Sequence, residues 1–421
     1  MTFSFSQLSP VLQQALQTLN YTQPTPIQQQ AIPVVLSGND VMAGAQTGTG
    51  KTAAFALPIL DTLLQQTASS DSSSQELPQA YVQALILVPT RELAQQVHQS
   101  FEQYAQHSSL KVGLAYGGVS LNPQLEALKQ GVDVLVATPG RLLDFLFKKA
   151  VSLDALNTLV FDEADRMLDM GFMDEIQQIL KRLPKERQTL LFSATFSDDI
   201  FKLSKQLLND PQLIEVDARN TAATTVEQKV YVVDADRKRE LVSHLIGSKN
   251  WHQVLIFVKT KQGADALAAE MCKDGLVTKA IHGDKSQGAR ERVLEEFRSG
   301  DTRVLVATDV AARGIDIPAL NTVINFDLPY IAEDYIHRIG RTGRAGQMGT
   351  AITLMSLGEE YLLEEIEVIL DERLPQQWLE GYEPDLTKEI PENRKNTRTA
   401  QKRRAKQRAH GQSTGKRRRR K

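Results

Sequence analysis

What constrains this chain most is an alternation that occurs twice. Short apolar runs of strand length are each followed by a turn bearing Gly, Thr or Asp and then by a helix-like segment. In the first half the runs are Asp40–Ala43, Ala84–Val88, Val132–Ala137, Thr158–Phe161 and Thr189–Phe192. A second series begins near Val226, with runs at Val254–Val258, Lys279–Ile281, Val304–Ala307, Thr322–Asn325 and Thr350–Leu354. Strand, helix, strand in regular order is the pattern of parallel α/β folds. Such sheets place their ligand sites at the carboxyl ends of the strands. No sequence repeat of 20–50 residues accompanies the second series, so the duplication is one of architecture.

The expected organisation is an N-terminal domain over 1–216, a polar linker over 217–225, a second domain over 226–378 and a tail over 379–421. The 421 residues fit this number of domains. The Ser-rich stretch Thr67–Gln79 is expected to form a surface loop inside the first domain. No run approaches the roughly 20 apolar residues of a membrane span, and Met1–Pro10 lacks the features of a secretory signal. Cys272 is the single cysteine, which rules out an intramolecular disulfide and a Cys-rich zinc site. The expectation is a soluble, cytoplasmic protein with no membrane association.

The net charge of −2 hides a split. Residues 388–421 hold 15 Lys or Arg against 2 Asp or Glu, and the remaining chain carries a net charge of −15. The block Lys416–Lys421 is wholly basic, and the segment has almost no apolar residues with which to fold. An acidic body with such a tail points to a polyanionic partner, nucleic acid first.

Two stretches carry the chemistry. Ala45, Gln46, Thr47, Gly48, Thr49, Gly50, Lys51 and Thr52 follow a short apolar strand and precede the helical segment Ala53–Leu64. Glycines let the backbone aim N–H groups at phosphates, and the helix N-terminus adds a favourable dipole. Lys51 would reach the β- and γ-phosphates, and Thr52 would hold Mg²⁺. Ala45 stands where the general phosphate loop has its first glycine, which disfavours a generic kinase or GTPase loop. About 110 residues on, the strand Thr158–Phe161 ends in Asp162-Glu163-Ala164-Asp165. Asp162 would bind Mg²⁺, largely through water. Glu163 could orient or deprotonate an attacking water. Taken alone, two acids at a strand end are as often a helix cap; beside the phosphate loop they are read as a nucleotide site.

With Asp-Glu-Ala-Asp at 162–165, the chain resembles the DEAD-box ATP-dependent RNA helicases over about residues 3–355. Further motifs of that family occur in order. Tyr21-Thr-Gln-Pro-Thr-Pro-Ile-Gln28 is like the family's Q motif. Gln28, both donor and acceptor, would read the edge of adenine, with Tyr21 packing on the base and Phe5 as the upstream aromatic. Pro89-Thr-Arg91, Gly117-Gly118 and Thr138-Pro-Gly-Arg141 resemble elements lining an RNA track, which implicates Arg91, Gly118, Thr138 and Arg141 in backbone contacts. Ser193-Ala-Thr195 resembles the element that couples hydrolysis to strand separation, with hydroxyls able to bond Asp165. In the second half, the strand Val254–Val258 carries Phe257, read as core. His282-Gly-Asp284 and Gln287–Arg290 look like RNA-side elements, which implicates Arg290. Ala307–Asp316 and His337–Arg344 are near-complete motifs. They imply Thr308 toward RNA, Gly314 and Asp316 toward the ATP ribose, and Arg341 and Arg344 as arginine fingers.

The resemblance implies two tandem RecA-like domains, each a mainly parallel sheet flanked by helices. It also implies ATP and Mg²⁺ at a composite active site and RNA bound through its backbone with little base specificity. The expected activity is RNA-stimulated ATP hydrolysis coupled to local unwinding or remodelling. A monomer acting in ribosome assembly or RNA decay is expected, with the tail on ribosomal RNA or pre-ribosomal particles. The rival readings are an ATP-dependent DNA helicase and a non-enzymatic RNA clamp.

Overall fold

The computed structural model describes residues 3–44, 49–69, 81–196, 198–216, 226–312, 320–343 and 348–388. The chain forms two compact units, Met1–Asp217 and Ala218–Lys421. This division falls at the expected linker, whose residues 217–225 lie outside the described set, as do 70–80 of the Ser-rich stretch and 389–421 of the tail.

The first unit is built on seven parallel strands: β1 (Val41–Gly44), β2 (Ala84–Leu87), β3 (Val112–Ala115), β4 (Val134–Ala137), β5 (Thr158–Phe161), β6 (Gln188–Ser193) and β7 (Gln212–Glu215). Their order is β3-β4-β2-β5-β6-β1-β7. The inner strands β1, β2 and β4 are buried along their whole length, as strands covered by helices on both faces must be. One face packs under the helices Pro10–Thr18, Pro26–Leu36, Lys51–Ser69 and Arg91–Ala105, around Phe55, Phe101 and Phe192. The other packs under Pro139–Phe147, Met173–Leu180 and Asp198–Leu207, around Phe145, Met167 and Leu203.

The second unit repeats the plan. Its strands are β8 (Val226–Val232), β9 (Val254–Val258), β10 (Thr278–Ile281), β11 (Val304–Thr308), β12 (Thr322–Asn325), β13 (Gly349–Met355) and β14 (Gln376–Gln377). Their order, β10-β11-β9-β12-β13-β8-β14, is that of the first sheet strand for strand, and all pairings are parallel. The fold is thus α/β with two RecA-like sheets, as the resemblance implied.

The tail departs from its expected start at 379. Gln376–Gln377 add a short edge strand beside Val230 and Tyr231 of β8. Leu379 and Tyr382 then pack on the second unit's core, and the Tyr382 ring lies between His244 and the Arg237 guanidinium. Lys388 closes this strap with ion pairs to Asp234 at 2.7 Å and Asp236 at 3.3 Å. Leu374, Leu379 and Tyr382 find a surface to cover, while Trp378 and Leu386 stay exposed, so the strap folds although its sequence borders a basic tail. Among the described residues no helix is long and apolar enough to cross a membrane.

Candidate functional site

In the first unit the predicted residues gather at the carboxyl ends of β1, β2, β4, β5 and β6. Lys51 opens the helix Lys51–Ser69 and is buried, and its Nζ has no hydrogen-bond partner among the described residues. Asp162, directly after β5, is also buried, and its Oδ1 likewise has no partner. Burial pushes the Asp162 carboxyl up to about 6 against the opposing pull of Lys51, and Glu163 adds to the rise. An orphaned buried cation near an orphaned carboxylate oxygen is costly in a folded protein. Both atoms suit a nucleotide polyphosphate and its hard divalent cation. Among the described residues no cluster of three His, Cys, Asp or Glu forms a protein cage for a metal. Mg²⁺ is commonly held instead by one or two carboxylates, substrate phosphates and water, which fits Asp162 with Thr52. Ala45, Gln46, Thr47 and Gly48 lie outside the described residues; Thr49 and Gly50 lead into the helix.

Glu163 adopts φ 54° and ψ 52° as it caps the helix Ala164–Asp169. This left-handed conformation is strained for a residue with a side chain. Asp165, inside that helix, accepts a 3.1 Å hydrogen bond from Thr195 Oγ1. Ser193 does not share that role: its hydroxyl donates to the Thr195 carbonyl at 2.7 Å, shaping the turn that presents Thr195. A Cβ on Gly44, the last residue of β1, would lie 2.7 Å from the Phe196 ring, so a side chain there would require that ring to shift.

Gln28 is 1% exposed, and its amide is engaged at both ends. Oε1 accepts from the Thr25 N–H at 3.0 Å, and Nε2 donates to the Gly50 carbonyl at 3.1 Å. The expected reading of adenine through both ends therefore meets competition from the chain itself; one amide hydrogen and one lone pair remain. Gln28 instead ties the Q-motif segment to the phosphate loop. Tyr21 is 36% exposed; its hydroxyl meets that of Tyr104 at 2.9 Å, and its ring stands edge-on to Phe5 and Tyr104. Phe5 is buried and supports Tyr21 from behind. Burial and the Tyr21 contact push the Tyr104 phenol up, so it stays protonated. The sequence reading missed Tyr104, whose place in the helix Arg91–Ala105 looks like ordinary core.

Arg91, Gly118 and Arg141 come together around one loop. Gly118 has φ 80°, and a Cβ there would lie 1.9 Å from the Arg91 guanidinium, so the cation rests against bare backbone. Arg141 donates from Nη2 to the Val119 carbonyl at 2.8 Å, while its Nε and Nη1 are buried without a hydrogen-bond partner. Thr90 and Thr138 cap the helices that carry these arginines; Thr90 accepts from the Leu93 N–H, and Thr138 does not cap through its side chain. Loop, cap and cations together suit phosphate contacts.

In the second unit Thr308 ends β11 and is buried. The next residue, Asp309, forms a two-pronged pair with Arg338, which is 1% exposed. Arg338 also donates to Asn325 at 3.3 Å and to the Asp327 carbonyl at 2.6 Å, and it stacks over Phe257. The first arginine of His337–Arg344 is thus an internal staple bonded through all three of its nitrogens, a role the sequence reading did not assign. Arg341 follows it and is also buried. Arg344, Gly314 and Asp316 lie outside the described residues. His282 bonds Asp265 at 2.9 Å, and Asp265 also pairs with Lys285. Arg290 sits in the helix Gln287–Ser299, which Ser286 caps.

Comparison with known proteins agrees. A family model for DEAD/DEAH box helicases matches residues 25–203, and one for the helicase conserved C-terminal domain matches residues 237–346. The chain is 42% identical over 370 residues to the ATP-dependent RNA helicase RhlB of Pseudomonas syringae pv. tomato, covering 87% of this chain and 92% of that protein. It is 41% identical to the RhlB of Xanthomonas oryzae pv. oryzae over 89% of this chain, and it spans 65% of that longer relative. The solved structure of S. cerevisiae Dbp5 bound to RNA and ADP BeF3 matches with a TM-score of 0.77 at 31% identity, over 89% of this chain and 95% of that one. The ordered motifs, the paired sheets and these relatives place the chain in the DEAD-box family of ATP-dependent RNA helicases.

Proposed function

We propose that the chain hydrolyses ATP in an RNA-stimulated cycle and uses that cycle to separate short duplexes or remodel RNA–protein complexes. The observation that carries this reading is the buried Lys51 Nζ and Asp162 Oδ1, both without hydrogen-bond partners, beside the Asp165–Thr195 bond. In this reading Lys51 binds the β- and γ-phosphates, and Thr52 and Asp162 hold Mg²⁺, which neutralises phosphate charge when bound. Glu163 orients or deprotonates the attacking water. Tyr21 packs on the base and Gln28 couples base recognition to the phosphate loop. The Asp165–Thr195 bond links the hydrolytic carboxylates to the turn after β6. Arg91, Gly118, Thr138 and Arg141, with Arg290 and Thr308, take the RNA backbone. Gly314 and Asp316 serve the ribose, and Arg341 and Arg344 stabilise charge developing on the γ-phosphoryl group.

The test is ATP turnover by the full chain with and without single-stranded RNA and with DNA of matched sequence. RNA should stimulate strongly and DNA little. Replacing Arg341 and Arg344 together should cost about 10³–10⁵ in turnover. Turnover indifferent to RNA, or unchanged in that double variant, overturns the reading. RNA binding with no turnover would favour a clamp, and equal stimulation by DNA a broader helicase.

The basic segment beyond Lys388 is read as a tether to structured RNA, ribosomal RNA or pre-ribosomal particles first, in a monomeric cytoplasmic protein acting in ribosome assembly or RNA decay. Its net positive charge supports this. Truncation after Lys388, which keeps the folded strap, should weaken RNA affinity and flatten its salt dependence while sparing unstimulated hydrolysis. Unchanged affinity at low salt would remove the tether.

A further inference from the structure

We propose that Arg166 is a positioning residue for hydrolysis, holding the Glu163 carboxylate where it meets the attacking water; this rests on the reading of Glu163 given above. Arg166 follows Asp165 in the helix Ala164–Asp169 and is 1% exposed. Its Nε lies 3.3 Å from Glu163 Oε2, its one ion-pair contact among the described residues. None of its three guanidinium nitrogens makes a hydrogen bond there.

A buried guanidinium is costly unless a carboxylate answers it, and an apolar side chain of similar volume would fill the space without that cost. Stability therefore gives little reason for an arginine at this place. Glu163 supplies a second, independent sign: its left-handed backbone persists only where the surroundings enforce it. The two residues stand three apart at the helix start, the spacing at which side chains on one face meet. The contact works through charge and proximity rather than an aligned hydrogen bond. It thus fixes where the carboxylate sits without directing the carboxylate's lone pairs at the guanidinium.

The contrast with Arg338 is instructive. That arginine is equally buried, yet its nitrogens reach Asp309, Asn325 and the Asp327 carbonyl. Arg338 is bonded as a staple, whereas Arg166 is placed as a counter-charge to one carboxylate.

The experiment uses full-length protein with ATP, Mg²⁺ and poly(U), comparing Arg166→Met and Arg166→Lys with the wild type, alone and combined with Glu163→Gln. Misplacing the carboxylate by about 1 Å predicts a fall in kcat of about 10²-fold for Arg166→Met. The KM for ATP should stay within about twofold, and Arg166→Lys should restore part of kcat. In the Glu163→Gln background, Arg166→Met should leave the residual single-turnover rate unchanged. An equal fall in both backgrounds, an effect confined to KM or to thermal stability, or failure of both Arg166 variants to fold overturns the proposal. A Glu163→Gln protein that turns over at the wild-type rate instead overturns the reading of Glu163, and that single variant tells the two failures apart.

Discussion

The two units share one strand order, but the buried charges at Lys51 and Asp162 in the first and at Arg338 and Glu359 in the second are treated differently. In the first, Lys51 Nζ and Asp162 Oδ1 are sequestered at the carboxyl edge of the sheet without hydrogen-bond partners. In the second, each guanidinium nitrogen of Arg338 is hydrogen-bonded, and the Glu359 carboxyl bridges Lys238 and Lys259. Burial works against the Glu359 charge, but the two lysines overcome it and hold the carboxyl down at about 2. The topology is therefore neutral as to function. Arg338, which the chain itself satisfies, maintains the fold, whereas Lys51 and Asp162, which the chain leaves without hydrogen-bond partners at the sheet's carboxyl edge, suit a ligand.

The comparison can be broken by swapping expectations between the units. Arg338→Ala should remove its bonds to Asp309, Asn325 and the Asp327 carbonyl and destabilise the second unit by about 3–5 kcal/mol, read by denaturant unfolding. A loss below about 1 kcal/mol would show the staple to be incidental. Lys51→Ala should do the opposite: turnover falls by about 10²–10³, while unfolding stability without nucleotide holds or rises. A clear loss of stability would make Lys51 a structural residue.

A pH titration sharpens the contrast further. The Asp162 carboxyl stands at about 6 in the folded protein, above its ordinary 3.8, because of burial first. The native state thus binds this proton more tightly than the unfolded chain does. The stability it confers is complete below about pH 4 and is lost as the pH rises through 6, a change on the order of 1–3 kcal/mol. Asp162→Asn should flatten that part of the stability profile measured without nucleotide; a profile identical to wild type would refute the assignment. The smallest effect is expected for Thr195→Val, which removes one hydrogen bond to Asp165, worth about 1 kcal/mol. It should weaken duplex separation per ATP consumed more than it weakens hydrolysis. Equal losses in both would remove Thr195 from coupling.

The inner strands were legible because their apolar runs are long relative to the strand and end in turn residues. Thr158–Phe161, Val254–Val258 and Thr322–Asn325 coincide with the observed strands. Of the edge strands only β10 was legible, through the run Lys279–Ile281; the other three were not. In Val112–Ala115 only alternate residues are fully buried, Gln212–Glu215 buries Ile214 alone, and Gln376–Gln377 is wholly exposed. A strand paired on one side needs little apolar signal. At the site, Lys51 and Asp162 were expected from sequence, and the structure places Lys51 at a helix start and Asp162 directly after a strand. Tyr104, Arg166 and the Asp309–Arg338 pair were not, since each gains its role from a partner brought close by the fold. Gln28 shows the converse: its chemistry was legible, but its engagement with Thr25 and Gly50 was visible only in three dimensions.

The short strand β14 has a consequence for any attempt to trim this protein. By lying along Val230 and Tyr231 it shields part of an outer sheet margin whose backbone groups would otherwise face solvent. A chain cut at 375 would bare that margin as a template for a neighbouring molecule, inviting self-association that has nothing to do with the missing basic residues.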